Sequence, residues 1–264
     1  MALQAFGGVL HAQISIVSSY VENFDSIGTA LPSGWGVWTS STTTGNGTAF
    51  TWTTAPIANN AAAGAANYFR NLPGASQAWT SSLSTGPDRA IGWRAGTAAS
   101  RDGSITLALA NTTGYNLTSL SFQLFTPNSS GTAGTFQLQY QLGSSGTFTP
   151  LAAVSYANDV AQSPLIVTTI TLTSGQLTAL NNQSGQVTLR WENTATSGTA
   201  FNTLALDNFS YTATAVPEPA TSAVIIGVLA LTGVLLRRRR SPWADGAEPI
   251  PQKLESPRDG RAFR

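Results

Sequence analysis

The sequence predicts an all-β protein: an antiparallel β-sandwich ectodomain followed by one C-terminal transmembrane helix. Three observations carry this. Short segments of alternating apolar and polar residues recur with Gly, Asn and Ser turns between them. Charged residues make up only 9% of the chain, so polarity comes from Ser, Thr, Asn and Gln, whereas soluble domains average roughly 25% charged. The one long apolar run, Ala220 to Leu236, ends at four consecutive arginines. Thr, Val, Ile and aromatic residues suit a pleated, half-buried surface, so almost no helix is expected before that run. One sandwich domain of about 200 residues is an ordinary size, and it is placed at residues 13–215.

At the N-terminus, Ala2 to Leu10 is mildly apolar and Leu10-His11-Ala12 ends on a small residue before Gln13. This looks like the last part of a secretory signal cut after Ala12, which makes residues 1–12 a remnant; without a positive leading segment, a flexible N-terminus is the alternative.

The clearest strand is Phe136 to Leu142, where Phe136, Leu138, Tyr140 and Leu142 face one way and Gln137, Gln139 and Gln141 the other. The same period of two runs through Ile105, Leu107 and Leu109, through Leu120, Phe122 and Leu124, through Ile170 and Leu172, and through Val187, Leu189 and Trp191. Turns such as Asn128-Ser129-Ser130-Gly131 and Gly143-Ser144-Ser145-Gly146 separate these segments. Near the end, Leu204 and Leu206 fall out of phase with Phe209 and Tyr211, and a bulge near Asp207 returns both pairs to the core.

At the C-terminal end, the 17-residue run from Ala220 to Leu236, whose most polar members are Thr221, Ser222 and Thr232, reaches the short limit of a membrane-crossing helix. Arg237, Arg238, Arg239 and Arg240 follow at once; by the positive-inside rule they stay in the cytoplasm and the ectodomain lies outside. Before the helix stands Val216-Pro217-Glu218-Pro219-Ala220, whose two prolines withhold backbone donors and keep the segment extended, as a protease cleft requires. Pro-Glu-Pro, apolar helix and arginine cluster in this order resemble the PEP-CTERM sorting signal, which implies recognition by the membrane protease-transpeptidase exosortase. The sorting and anchor segment is thus 216–240. Residues 241–264, rich in Pro, Gly and mixed charge where members of that family usually stop, read as a disordered cytoplasmic tail.

The ordered pieces Glu22-Asn23-Phe24-Asp25, Asp88-Arg89-Ala90-Ile91-Gly92, Asn111-Thr112-Thr113-Gly114, Leu138-Gln139-Tyr140 and Leu206-Asp207-Asn208-Phe209 resemble the jelly-roll ectodomains of PEP-CTERM proteins and, more distantly, MAM and concanavalin-like sandwiches. Where related ectodomains carry Glu-Gln-Trp-Arg, this chain has Phe122-Gln123-Leu124-Phe125, so no role of that Glu or Arg is carried over.

The net charge of +1 gathers at the C-terminal end; between Gln13 and Ala215, five Arg face seven Asp or Glu. Such a surface offers nucleic acid no phosphate contacts. With no cysteine, and His11 as the only histidine, the folded part builds neither a disulfide frame, nor a histidine-based triad, nor a zinc site. Glycoside hydrolysis needs two carboxyls across a cleft, and Glu22, Asp25, Asp88, Asp102, Asp159, Glu192 and Asp207 form no tight acidic motif.

Two binding expectations remain. If the first and last strands are neighbours, Glu22, Asp25, Asp207 and Asn208 supply oxygen ligands of the kind calcium takes; alternatively, Asp207 caps the bulge through local backbone bonds and Glu22 faces water. Trp35, Trp38 and Trp52, in a Gly- and Thr-rich stretch, are candidates for stacking on a sugar ring, with core packing as the alternative. The expectation is a non-catalytic protein, exported, held at the inner membrane and then displayed at the surface or released, in an exopolysaccharide-rich setting. A carbohydrate-binding module, and a glycoside hydrolase or lyase on a concanavalin-like fold, are the alternatives.

Overall fold

A computed structural model describes residues 12–52, 68–76, 86–94, 102–128, 134–157, 166–194, 202–217 and 219–239. The signal-remnant reading of residues 1–11, the tail reading of 241–264, Glu218, Arg240, Asp159 and the turn at 129–131 lie outside these residues. The chain divides into two compact units, Met1–Val216 and Pro217–Arg264.

The first unit is built from β1 (Ser19–Glu22), β2 (Trp35–Thr39), β3 (Thr48–Ala49), β4 (Tyr68–Pro73), β5 (Arg89–Arg94), β6 (Ser104–Leu109), β7 (Tyr115–Asn128), β8 (Thr135–Leu142), β9 (Thr149–Ala157), β10 (Thr168–Thr173), β11 (Val187–Asn193) and β12 (Thr203–Ala215). They form two six-stranded sheets. One runs β3-β2-β6-β11-β8-β9; the other runs β10-β7-β12-β5-β4, with β1 also on β12, and every pairing is antiparallel. The inner orders β6-β11-β8-β9 and β5-β12-β7-β10 make two Greek keys, the topology of a jelly roll.

Alternation places the core. Along β11, Val187, Leu189 and Trp191 lie opposite Leu109, Leu107 and Ile105 of β6 and opposite Leu142, Tyr140 and Leu138 of β8. Trp191 stacks on Trp35 of its own sheet at 5.7 Å. From the other sheet it meets Phe122 edge-on at 5.3 Å and Phe209 at 5.7 Å. Such ring pairs contribute about 0.5–1.5 kcal/mol each beyond their buried area, so the two sheets are joined where their largest side chains meet.

The expected bulge is present. The register of β12 against β7 shifts between Asp207 and Ser210, and Asn208 takes φ 49°, a left-handed conformation that Asn tolerates. The shift turns Leu204, Leu206, Phe209 and Tyr211 all inward.

One expectation needs correction. In β8 the Gln face does not look into solvent: Gln139 and Gln141 are buried, while Leu142 is exposed, because loops cover that side. The second unit holds a helix, α1 (Pro219–Arg239), where the sequence placed one; among the described residues no helix is long and apolar enough to cross a membrane. Its side chains from residue 226 to 236 are exposed.

Candidate functional site

An open cavity is assembled around one turn. Pro32-Ser33-Gly34-Trp35 closes with the Trp35 N–H donating to the Pro32 carbonyl at 3.1 Å. Gly34 sits at φ +83°, and a Cβ there would come within 2.9 Å of Ile14 Cγ2, so position 34 requires glycine both for the positive φ and for the close approach. The Gly34 carbonyl accepts from Ala108 N–H, which ties the turn to β6 and feeds Trp35 into β2 with its ring inward. Beyond β3 the chain returns. Phe50 N–H donates to the Val37 carbonyl, and the Trp52 indole N–H donates to the Ile27 carbonyl, both at 2.9 Å. A cavity of about 250 Å³ lies between these pieces, walled by Leu31, Pro32, Ser33, Phe50 and Trp52, with Trp35 at its base.

The three tryptophans proposed from sequence therefore separate. Trp52 is partly exposed on the cavity wall. Trp35 is a core residue, only 2% exposed, with its Nε1 donating to the Tyr20 hydroxyl at 3.0 Å; its stacking partner is Trp191, which corrects the expectation of a free sugar-stacking face. Trp38, one strand position out of phase with Trp35 and Val37, is on the opposite face of the sheet, with Nε1 donating to Thr106 Oγ1 at 2.8 Å. Sequence reading missed Leu31, Ser33 and Phe50. The Pro-Ser-Gly turn signal and the two-residue step from Phe50 to Trp52 were the available clues.

That opposite face is polar and closed by the protein itself. Arg190 of β11 is 1% exposed. Its Nη1 donates to the carbonyls of Thr42 at 2.8 Å and Gly45 at 3.0 Å, and its Nε and Nη2 donate to Gln139 Oε1. Nη2 also pairs with Glu192 at 2.9 Å, and Phe148 lies 3.6 Å from the guanidinium carbon. Gln141 Nε2 donates to the Thr44 and Gly146 carbonyls, and Phe148 N–H to the Thr43 carbonyl. Burial pulls Arg190 down to about 10, opposed by Glu192, and burial pushes the Glu192 carboxyl up in spite of Arg190. The loop over this face supplies its hydrogen bonds, so these groups act as internal packing.

β1 does pair with β12, setting Glu22 opposite Phe209. The acids are nonetheless occupied separately. Glu22 accepts from Phe24 N–H at 2.9 Å and from the Tyr20 hydroxyl; Asp25 accepts from Arg89 N–H and Asn23 Nδ2. Asp207, fully buried, accepts from Ala75 N–H at 2.9 Å and Asn208 N–H at 2.7 Å. The Asn208 side chain turns away to Gln123 Oε1 at 2.8 Å. Among the described residues no group of three or more His, Cys, Asp or Glu is placed to hold a metal ion. Asp207 thus caps the bulge through backbone donors. Burial pushes Asp207 up to about 7, with further upward contributions from Asp88 and Asp25 against its two backbone donors. Asp88, which accepts from the Ser76 N–H and hydroxyl, was not expected beside Asp207.

Of the sorting segment, Val216 closes the first unit, its N–H donating to the Gly114 carbonyl at 2.7 Å, and Pro217 is exposed. The backbone of Pro219 and Ala220 opens α1, and that of Arg237, Arg238 and Arg239 ends it.

No family model matches this chain, and no curated protein matches it. Among solved structures, it is similar to the family 11 carbohydrate-binding module from Clostridium thermocellum in complex with a β-1,3-1,4-mixed-linked tetrasaccharide, at 11% identity over 77% of this chain and 100% of that one, TM-score 0.39. It is similar also to the CBM22-1 xylan-binding domain from Paenibacillus barcinonensis Xyn10C, at 10% identity over 78% and 99%, TM-score 0.42. A third is a cleaved adhesin domain of Lys-gingipain from Porphyromonas gingivalis, at 13% identity over 75% and 99%, TM-score 0.41. At this level of likeness no ligand or activity is carried across.

Proposed function

We propose that this is a non-catalytic, exported envelope protein whose sandwich binds a glycan at the Trp52 cavity. The observation that carries the reading is the cavity itself: about 250 Å³, open beside a partly exposed indole and a phenyl ring just past β3. Aromatic walls of this kind fit the apolar face of a pyranose. Carbohydrate binding is thereby preferred over display alone, and Trp38 contributes nothing to it. In a pull-down of the full detergent-solubilised chain on the host's exopolysaccharide, Trp52→Ala is expected to weaken retention by roughly tenfold or more, with an unchanged circular dichroism spectrum. Equal retention by variant and wild type sinks the cavity as the contact site.

Location is part of the same proposal. What supports it is the sequence: an apolar run from Ala220 to Leu236, Arg237 to Arg240 directly after it, and Val216-Pro217-Glu218-Pro219 before it. The chain is read as inner-membrane anchored, a partner of exosortase, and displayed or released after processing. Fractionation is expected to put the intact chain in the membrane with its ectodomain open to protease in spheroplasts. Mass spectrometry of the mature C-terminus reads the cut; recovery of the intact chain from the cytosol ends the export reading.

A further inference from the structure

Resting on the glycan reading, we infer that the cavity selects an uncharged pyranose bearing a methyl group, such as a 6-deoxy or an acetylated sugar, over its fully hydroxylated counterpart. Among the described residues the lining contains no charged side chain, and beyond Ser33 it offers no side-chain hydroxyl or amide. The remaining polar side-chain groups, the two indole N–H, are engaged: Trp52 Nε1 with the Ile27 carbonyl and Trp35 Nε1 with the Tyr20 hydroxyl. The turn's carbonyls are engaged likewise, Pro32 with Trp35 N–H and Gly34 with Ala108 N–H. A hydroxyl pressed against the side chains of Leu31, Phe50 and Trp52 would lose its water and find no side-chain partner there, a cost that a methyl group at the same position does not carry. A carboxylate or sulfate would fare worse, having no cation to meet. The cavity also holds about one sugar ring, so selection acts on a single residue of a chain or on its end.

The full chain in mild detergent is titrated with matched pairs, L-fucose against L-galactose for the deoxy methyl and N-acetylglucosamine against glucose for the acyl methyl. Saturation-transfer-difference NMR reads which ligand protons touch the protein. The expected result is about tenfold or more tighter binding of at least one methyl-bearing partner, with its methyl protons receiving the strongest saturation, and the pair that discriminates identifies deoxy or acyl chemistry. Ser33→Phe, at an exposed turn position, fills the opening without removing a core side chain and is expected to abolish the signal. Equal affinity within both pairs overturns the selectivity while the glycan reading stands. Binding by none of the four sugars, together with no retention on the polysaccharide, overturns both. Binding undiminished by Ser33→Phe removes the cavity as the site.

Discussion

Arg190→Ala is expected to lower the unfolding free energy by about 3–5 kcal/mol, the range for breaking a buried ion pair from one side. The reason lies in what is left behind. Glu192 keeps a largely buried carboxylate without its cation, the carbonyls of Thr42 and Gly45 lose their donor, and Gln139 Oε1 loses both guanidinium bonds. The ring of Phe148 loses the cation over its face. Because Arg190 ties both ends of the Thr42–Gly45 loop, leaving only the Gln141 and Phe148 bonds to its middle, the outer face of its sheet should loosen at the same time. For a domain near 200 residues the expected fall in melting temperature is on the order of 10 °C. Calorimetry or urea unfolding of Arg190→Ala, Arg190→Met, and Arg190→Met with Glu192→Gln reads this. The double variant is expected to be less damaged than Arg190→Met alone, since it removes the stranded charge as well as its partner. If both single variants melt within a degree or two of wild type, the cluster does not hold the loop.

Stability should also fall as pH rises from about 4 to about 7. Asp207 is held near 7 in the fold, mainly by burial, against 3.8 for the free side chain. Below about pH 4 both states carry the proton and Asp207 has no effect; between the two values the unfolded chain releases its proton while the folded one keeps it. Folding then loses ground until the folded pKa is passed, after which the penalty is constant. The full effect is of the order of 4 kcal/mol. Glu192, also pushed up by burial, acts in the same direction. Asp207→Asn cannot ionise, so the stability advantage of wild type over this variant is expected to shrink across the same window, read by urea unfolding at pH 4, 5.5 and 7. A constant difference between the two would mean that Asp207 is ionised in the fold and held by its Ala75 and Asn208 donors.

Much of the sandwich was legible in the sequence because a strand's alternation is a local property. Val187, Leu189 and Trp191 declare a common face wherever the strand goes, and the phase break between Leu206 and Phe209 can be repaired only by an extra residue, which the structure supplies at Asn208. The site was less legible. Trp35, Trp38 and Trp52 share a composition and a neighbourhood in the chain, but strand parity sends the first to the core and the second to the far face, and the indole of Trp52 is fixed by a carbonyl 25 residues away.

The sequence by itself determined which side chains share a face, where the β12 bulge must fall, and that the apolar run meets four arginines. Only the tertiary structure decided which polar faces are covered and which aromatic ring keeps an opening. Gln139 and Gln141 look solvent-facing by period yet are covered, with Arg190, by carbonyls from residues 42–45 and 146 and by the ring of Phe148. The physical reason is that periodicity fixes direction relative to the strand, whereas burial depends on what distant chain arrives on that side, and no local pattern encodes the arrival.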